Sequence, residues 1–208
     1  MIPLLSTAYL PPIEYMAVLS HCQNATVEHF ETFPKQTYRN RATILTGNGT
    51  QQLTVPVVKN NHTCTADVRI DHSQRWQDIH IRTLNAAYNA SPYYQYYAHE
   101  LAVILRQPTT FLVDLNQNLL DWLLKKIKLS TNITHTAEWE KEPAGFVDLR
   151  NSITPKRPSS IITTYKPYYQ VFSDRIDFQP NLSAIDLLAN LGPESKDYLE
   201  ALSPQCFT

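Results

Sequence analysis

The sequence predicts an α/β fold: one domain, with a mixed β-sheet flanked by helices. Three observations point there. Short β-prone runs dominate the first seventy residues, including Pro3 to Tyr9 and Ala25 to Phe33. Three longer segments of helical period occupy the middle. With 208 residues, 43% hydrophobic and 18% charged, the chain is long enough to bury one substantial core. Residues 1–208 therefore read as a single domain, with a long irregular loop at about 139–167.

Pro3 to Tyr9 reads as a buried strand. Pro11-Pro12 ends it, because proline donates nothing to a ladder and fixes φ. Pro12 suits the first turn of a short helix over Glu14 to Ser20. In Ala25 to Phe33, Val27, His29, Glu31 and Phe33 alternate with Glu28, Phe30 and Thr32, a β-prone pattern. Arg41 to Thr46 and Gln51 to Val58 flank Gly47-Asn48-Gly49, a hairpin signal. Ala66 to Ile70 adds a strand.

From Arg75 to Tyr88, residues Trp76, Ile79, His80, Leu84 and Ala87 recur at helical spacing. Ser91-Pro92 opens a second helix, through Tyr93, Tyr94, Tyr96 and Tyr97 to about Leu105. A third spans about Thr109 to Lys128. It turns Leu112, Leu115, Leu119, Leu123 and Ile127 inward, and its late lysines suit the negative helix end. Ile133 to Thr136 is a short strand. Trp139 to Pro167, with four prolines, is irregular, and a loop of that length is commonly functional or disordered. Tyr168 to Phe172 reads as a strand. Ser183-x-x-Asp186 opens an apolar helix as a capping box, Gly192-Pro193 breaks it, and a last helix covers Glu194 to Leu202. Strand order is not encoded in these patterns.

A formal net charge of -1 argues against a general nucleic-acid binder. Four glycines do not build a phosphate-cradling P-loop or a GxGxxG turn. There is no GxSxG elbow, no HExxH and no paired-cysteine zinc spacing, so no metal and no particular cofactor is indicated. Cys22, Cys64 and Cys206 are far apart in sequence, which fits a reducing cytoplasm. The apolar N-terminus lacks a basic leader and is interrupted by Pro11, Pro12 and Glu14. No run approaches the roughly 18 apolar residues of a membrane span, so no membrane insertion is expected.

The main candidate site is Lys35-Gln-Thr-Tyr-Arg-Asn-Arg41. In an extended chain Lys35, Arg39 and Arg41 share one face, and guanidinium groups suit bidentate contact with phosphate or carboxylate. A solvated strand face is the plain alternative. His80 lies on the apolar stripe of its helix, as a core histidine or as a general base. Tyr9, Glu14 and Tyr15 sit where the first strand gives way to a helix, a common place for a ligand cleft. Glu14 is either a proton-transfer group or a complement to the helix N-terminus. Asp148 and Arg150 form a local salt bridge or help order the adjoining loop over a substrate.

Several segments in order carry a resemblance. They are Leu5-Ser-Thr-Ala-Tyr-Leu-Pro-Pro-Ile-Glu-Tyr15, Lys35-Gln-Thr-Tyr-Arg-Asn-Arg41, Leu53-Thr-Val-Pro-Val57, Trp76-x-x-x-His80 and Ala87-Tyr88 to Ser91-Pro92-Tyr93-Tyr94. Asp148-Leu-Arg150, Tyr168-Tyr-Gln-Val-Phe172 and Phe178-x-Pro-Asn-Leu-Ser-x-x-Asp-Leu-Leu188 complete the series. Together they resemble the WbqC-like protein family of bacteria. One departure lies at Ala189-Asn190-Leu191-Gly192-Pro193, where a phenylalanine and an acidic residue are expected. The resemblance implies a role in surface-polysaccharide (O-antigen) biosynthesis. Acyl or aminoacyl transfer to a nucleotide-linked amino sugar is a reaction compatible with that role, and the resemblance leaves the chemistry open. On that reading Lys35, Arg39, Asn40 and Arg41 hold an anionic, nucleotide-linked substrate, helped by Tyr9, Tyr15, Asp148 and Arg150. His80 or Glu14 accepts a proton from the attacking amine. The alternative is a non-catalytic binding or accessory protein of a biosynthetic complex. The enzyme reading needs Arg39, His80 and Glu14 to converge on one pocket.

Overall fold

In the computed structural model, which describes residues 2–60 and 62–207, the apolar run Ile2–Ser6 forms strand β1. The chain turns through Leu10, at φ 43°, and Pro12 into helix α1, Ile13–Ser20. Seven of the eight residues of α1 are buried, so this helix is internal rather than amphipathic. The chain returns as β2, Asn24–Glu28, parallel to β1 with Leu5 opposite Val27.

Two antiparallel ribbons follow. Strands β3, Arg41–Thr46, and β4, Gly49–Thr54, form the expected hairpin, with Gly49 at φ 100° where a side chain would be strained. Strands β5, Val57–Val58, and β6, Arg69–Ile70, form a shorter pair. Helices α2, Trp76–Tyr88, α3, Tyr94–Arg106, and α4, Leu112–Ile127, come next. All five predicted inward positions of α4 are buried, and truncating any of these leucines to alanine costs about 2–5 kcal/mol. Strands β7, Asn132–His135, and β8, Phe146–Asp148, then join the central sheet. The chain closes with α5, Ala184–Leu191, and α6, Ser195–Ala201.

The central sheet has the order β7-β2-β1-β8 and is parallel throughout. All four strands therefore end on one edge. Leu5, Ala25 and Val27 face the helical core, with Ile133 and Val147 packed against it. The α/β class and the helix-flanked sheet agree with the sequence. Antiparallel pairing is present, but in the separate ribbons. Among the described residues, no helix is long and apolar enough to cross a membrane.

Four local expectations are corrected. Residues 35–40 form no strand: Gln36 adopts φ 59° and a turn follows, so only Arg41 lies in a strand and the three cations do not share a face. The strand expected over Ala25 to Phe33 ends at Glu28. Tyr168 to Phe172 is not a strand, because the Gln170 side chain takes the role of a ladder. Its Nε2 donates to the Gln179 carbonyl at 2.9 Å and its Oε1 accepts from the Gln179 N–H at 2.9 Å. The capping box is half formed. Ser183 Oγ accepts from Ile185 N, but Asp186 turns inward to accept from the Tyr168 hydroxyl at 2.5 Å and from Gln170 Nε2 at 3.1 Å. Burial pushes the Asp186 pKa up to about 6 against the pull of those bonds. The segment 139–167 is irregular as expected, apart from β8.

The departure noted at Gly192 has a packing reason. Gly192 sits at φ 53°, and a Cβ there would lie 2.5 Å from the Tyr93 ring. Gly192→Ala is expected to destabilise the protein by about 2–4 kcal/mol in urea unfolding, through backbone strain and the ring clash together. In a Tyr93→Leu background the penalty should shrink. An unchanged penalty would assign the whole effect to the backbone.

Candidate functional site

The parallel strands end at Ser6, Glu28, His135 and Asp148. In open parallel sheets this edge is where ligands sit. Two buried guanidinium groups lie there, with Arg39 4% and Arg150 5% exposed.

Arg150 is fully committed. Its Nε donates to Asp148 Oδ1 at 2.9 Å, and its Nη2 to Asp148 Oδ2 at 2.7 Å and to the Lys141 carbonyl at 3.2 Å. Its Nη1 donates to Glu28 Oε2 at 2.9 Å and to the Glu140 carbonyl at 2.8 Å. A guanidinium has five N–H donors, and all five are used. Burial alone would raise the Asp148 pKa, but the bonds and charge of Arg150 outweigh it and hold that carboxyl below its usual range.

Arg39 is committed on one side only. Its Nε and Nη2 make a bidentate pair with Glu31, each at 2.7 Å, and Nη2 also reaches Ser6 Oγ at 2.5 Å. Its Nη1 makes no hydrogen bond among the described residues. Two neighbouring hydroxyls are likewise buried without partners: Thr37 Oγ1 and the Tyr15 phenol. Buried polar groups left unpaired are uncommon and call for an explanation.

These residues line two spaces that share Arg39 and Arg150. A void of about 10 Å³, room for one water, is lined by Ser6, Tyr15, Tyr38, Arg39 and Arg150. A cleft of about 330 Å³ shares Arg39 and Arg150 and adds Thr37, Asn151, Lys156 and Arg157. Arg39 and Thr37 thus line a space that two further cations, Lys156 and Arg157, also line.

The other sequence candidates lie elsewhere. Lys35 is exposed and lines neither space. Asn40 is structural: its Nδ2 donates to the Val55 carbonyl at 2.9 Å, and the Val55 N–H donates back to the Asn40 carbonyl. Arg41 begins β3, with its Nε buried and unpartnered. His80 is a core residue, with Nδ1 2.8 Å from the Tyr9 hydroxyl and its ring edge-on to Trp76. Burial pulls the His80 pKa down to about 4, against a smaller opposing pull from the Thr54 backbone, so the ring is neutral. Tyr9 serves as its partner. Asp148 forms the local salt bridge with Arg150.

Glu14 is 1% exposed on α1. Burial raises its pKa, and Ser159 and Asn181 draw it only part of the way back. Neither carboxylate oxygen closes a well-formed hydrogen bond. The carboxyl is therefore held toward its neutral form. Arg39, His80 and Glu14 therefore do not line one pocket. Sequence reading missed Ser6, Glu28, Glu31, Thr37, Lys156 and Arg157. The adjacent cations Lys156-Arg157 were a visible signal, and so were carboxylates inside a β-prone run, which must be paired if buried.

Fold and site define an α/β protein with a donor-lined cleft at the carboxyl edge of a parallel sheet. The chain belongs to the WbqC-like protein family, whose model matches residues 7–153. It is also similar to the uncharacterised protein Rv1507c of Mycobacterium tuberculosis, 25% identical over 227 residues, covering 95% of this chain and 96% of that one. No solved structure matches the chain.

Glu14→Gln keeps the shape and removes the ionisable proton. A carboxyl whose folded pKa is raised gives stability that is full below its unfolded pKa and is lost as pH rises through the folded pKa. The variant should therefore be more stable than the parent at pH 8, and the gain should vanish by about pH 4, as read by urea unfolding. Equal destabilisation at both pH values would mean that Glu14 is ionised and partnered.

Proposed function

We propose that the cleft beside Arg39 binds the anionic group, a phosphate or a carboxylate, of a small metabolite. The observation that supports this is a set of polar groups without an internal partner, Arg39 Nη1 and the buried Thr37 and Tyr15 hydroxyls, on residues lining two spaces that share Arg39 and Arg150. Lys156 and Arg157 at the rim add attraction for an anion. Glu31, Glu28 and Asp148 offset the charges of Arg39 and Arg150, so attraction for an anion falls to Lys156 and Arg157, which argues against a polyanion such as nucleic acid.

Within that reading, the metabolite is a nucleotide-linked amino sugar and the reaction is acyl or aminoacyl transfer to its amine in bacterial surface-polysaccharide assembly. The association of the family with that pathway supports this finer reading. Three free cysteines fit the reducing cytoplasm where such precursors are made. One observation favours a second reading, a binding or accessory protein without turnover. The cleft is lined by no carboxylate, imidazole or thiol side chain, so it offers a transfer reaction no ordinary proton acceptor.

A thermal-shift screen against nucleotide sugars, coenzyme-A thioesters and free amino acids tests both. A ligand that binds only the folded state raises the melting temperature. One class should give a shift. Thr37→Val and Tyr15→Phe should each weaken that ligand about three- to tenfold by calorimetry, with the fold intact. Release of free coenzyme-A thiol in the presence of an amino sugar would select the transferase. Binding without release would select the accessory protein. No shift with any class would defeat the anion site.

A further inference from the structure

A second concavity, larger than the cleft beside Arg39, lies apart from it. A groove of about 1100 Å³ runs between residues 163–168 and α6 and shares no lining residue with that cleft. Its lining falls entirely within residues 163–205, beyond the family match at 7–153. We infer that this groove binds an extended, basic peptide segment of a partner protein.

The first support is the backbone at the groove's edge. Residues 162–170 contain no helix, turn or bend. Proline at 167 biases Lys166 toward extended conformations. The strap is anchored at both ends. Buried Ile161 and Ile162 hold one end, where Gln205 N donates to the Ile161 carbonyl at 2.9 Å. The Tyr198 hydroxyl donates to the Lys166 carbonyl at 2.7 Å at the other. Between the anchors, the backbone groups of Thr163 and Thr164 make no hydrogen bond among the described residues, and both residues are exposed. A fixed extended segment with open N–H and C=O groups is a template for an added strand.

The second support is the chemistry of the walls. Leu191, Leu202 and the rings of Tyr168 and Tyr198 give an apolar surface. The Tyr165 ring adds to these walls, with its hydroxyl shut off from solvent. Glu194 and Asp197 are exposed and form no ion pair among the described residues, against one lining cation, Lys166. Charge complementarity then selects lysine or arginine in the occupant. A small polyol would use the rings and carboxylates but leave the backbone edge unused.

The test is a positional-scanning library of amidated heptapeptides, read by fluorescence polarisation on the intact protein. Enrichment of lysine or arginine is expected. N-methylation of alternate amides in the best peptide should weaken it about tenfold or more, because it removes the pairing donors. Glu194→Gln/Asp197→Asn should weaken it about threefold to tenfold, and less so at high salt. Thr164→Pro, which deletes an N–H with no internal partner, should also weaken it without loss of fold. Gln51→Ala, at an exposed position of β4 that lines neither concavity, should change nothing. No enrichment, preference for acidic peptides, or indifference to N-methylation would overturn the inference. So would a concentration-dependent dimer in sedimentation velocity that Thr164→Pro abolishes, since the edge would then pair with itself.

Discussion

The saturation of Arg150 is the constraint on which the carboxyl edge of the sheet depends. One side chain ties together the end of β8 through Asp148, the end of β2 through Glu28, and the connecting loop through the carbonyls of residues 140 and 141. Its own carbonyl accepts from Ser6 Oγ at 3.1 Å, which adds β1. Glu28 extends the tie, accepting from the Phe30 N–H at 2.7 Å and from Thr136 Oγ1 at 2.8 Å just past β7. Every strand of the sheet is thus referenced to one planar group. Buried ion pairs of this kind contribute little net stability against well-packed apolar residues, because desolvation offsets the attraction. Losing one partner is costly, so the network enforces geometry more than it adds free energy.

That geometry sets what Arg39 presents. Glu31 grips the Nε–Nη2 edge in a bidentate pair, which fixes the guanidinium plane and leaves Nη1 outside the pairing on a side chain that lines the void and the cleft. A lysine would supply charge without a second edge to be gripped, and its donors would not be aimed. The same pairing lowers the electrostatic contribution of Arg39, so attraction over distance falls to Lys156 and Arg157, which salt screens. Positioning and attraction are therefore carried by different residues.

What the sequence made legible follows from where the controlling forces act. Hairpin β3–β4 and helices α2 to α4 were readable because turn chemistry and apolar period are local. The strap at 168–172 was misread because a side chain, Gln170, replaces the ladder, and no propensity records that substitution. Arg39 and Arg150 are legible as candidate cations, but parity along an assumed strand is not what places them. Gln36 at φ 59° breaks the strand, and Arg39 is buried by a partner eight residues away. His80 was separable from a general base only by knowing that Tyr9, 71 positions distant, would meet its ring. Long-range pairings of this kind leave no trace in a single sequence.

Glu14 connects the two concavities in a way neither shows alone. Its charge would act on Tyr38, which lines the void beside Arg39, and on Tyr165, which lines the groove against α6. Burial already raises both phenol pKa values, and an ionised Glu14 would raise them further. Two buried hydroxyl dipoles and a carboxyl are compatible in a dry interior only while the carboxyl stays neutral or finds a donor. The Tyr165 hydroxyl and both Glu14 oxygens lack well-formed partners, so a neutral carboxyl is the state this interior tolerates best. Glu14 is thus a buried group whose charge state bears on phenols that line both concavities.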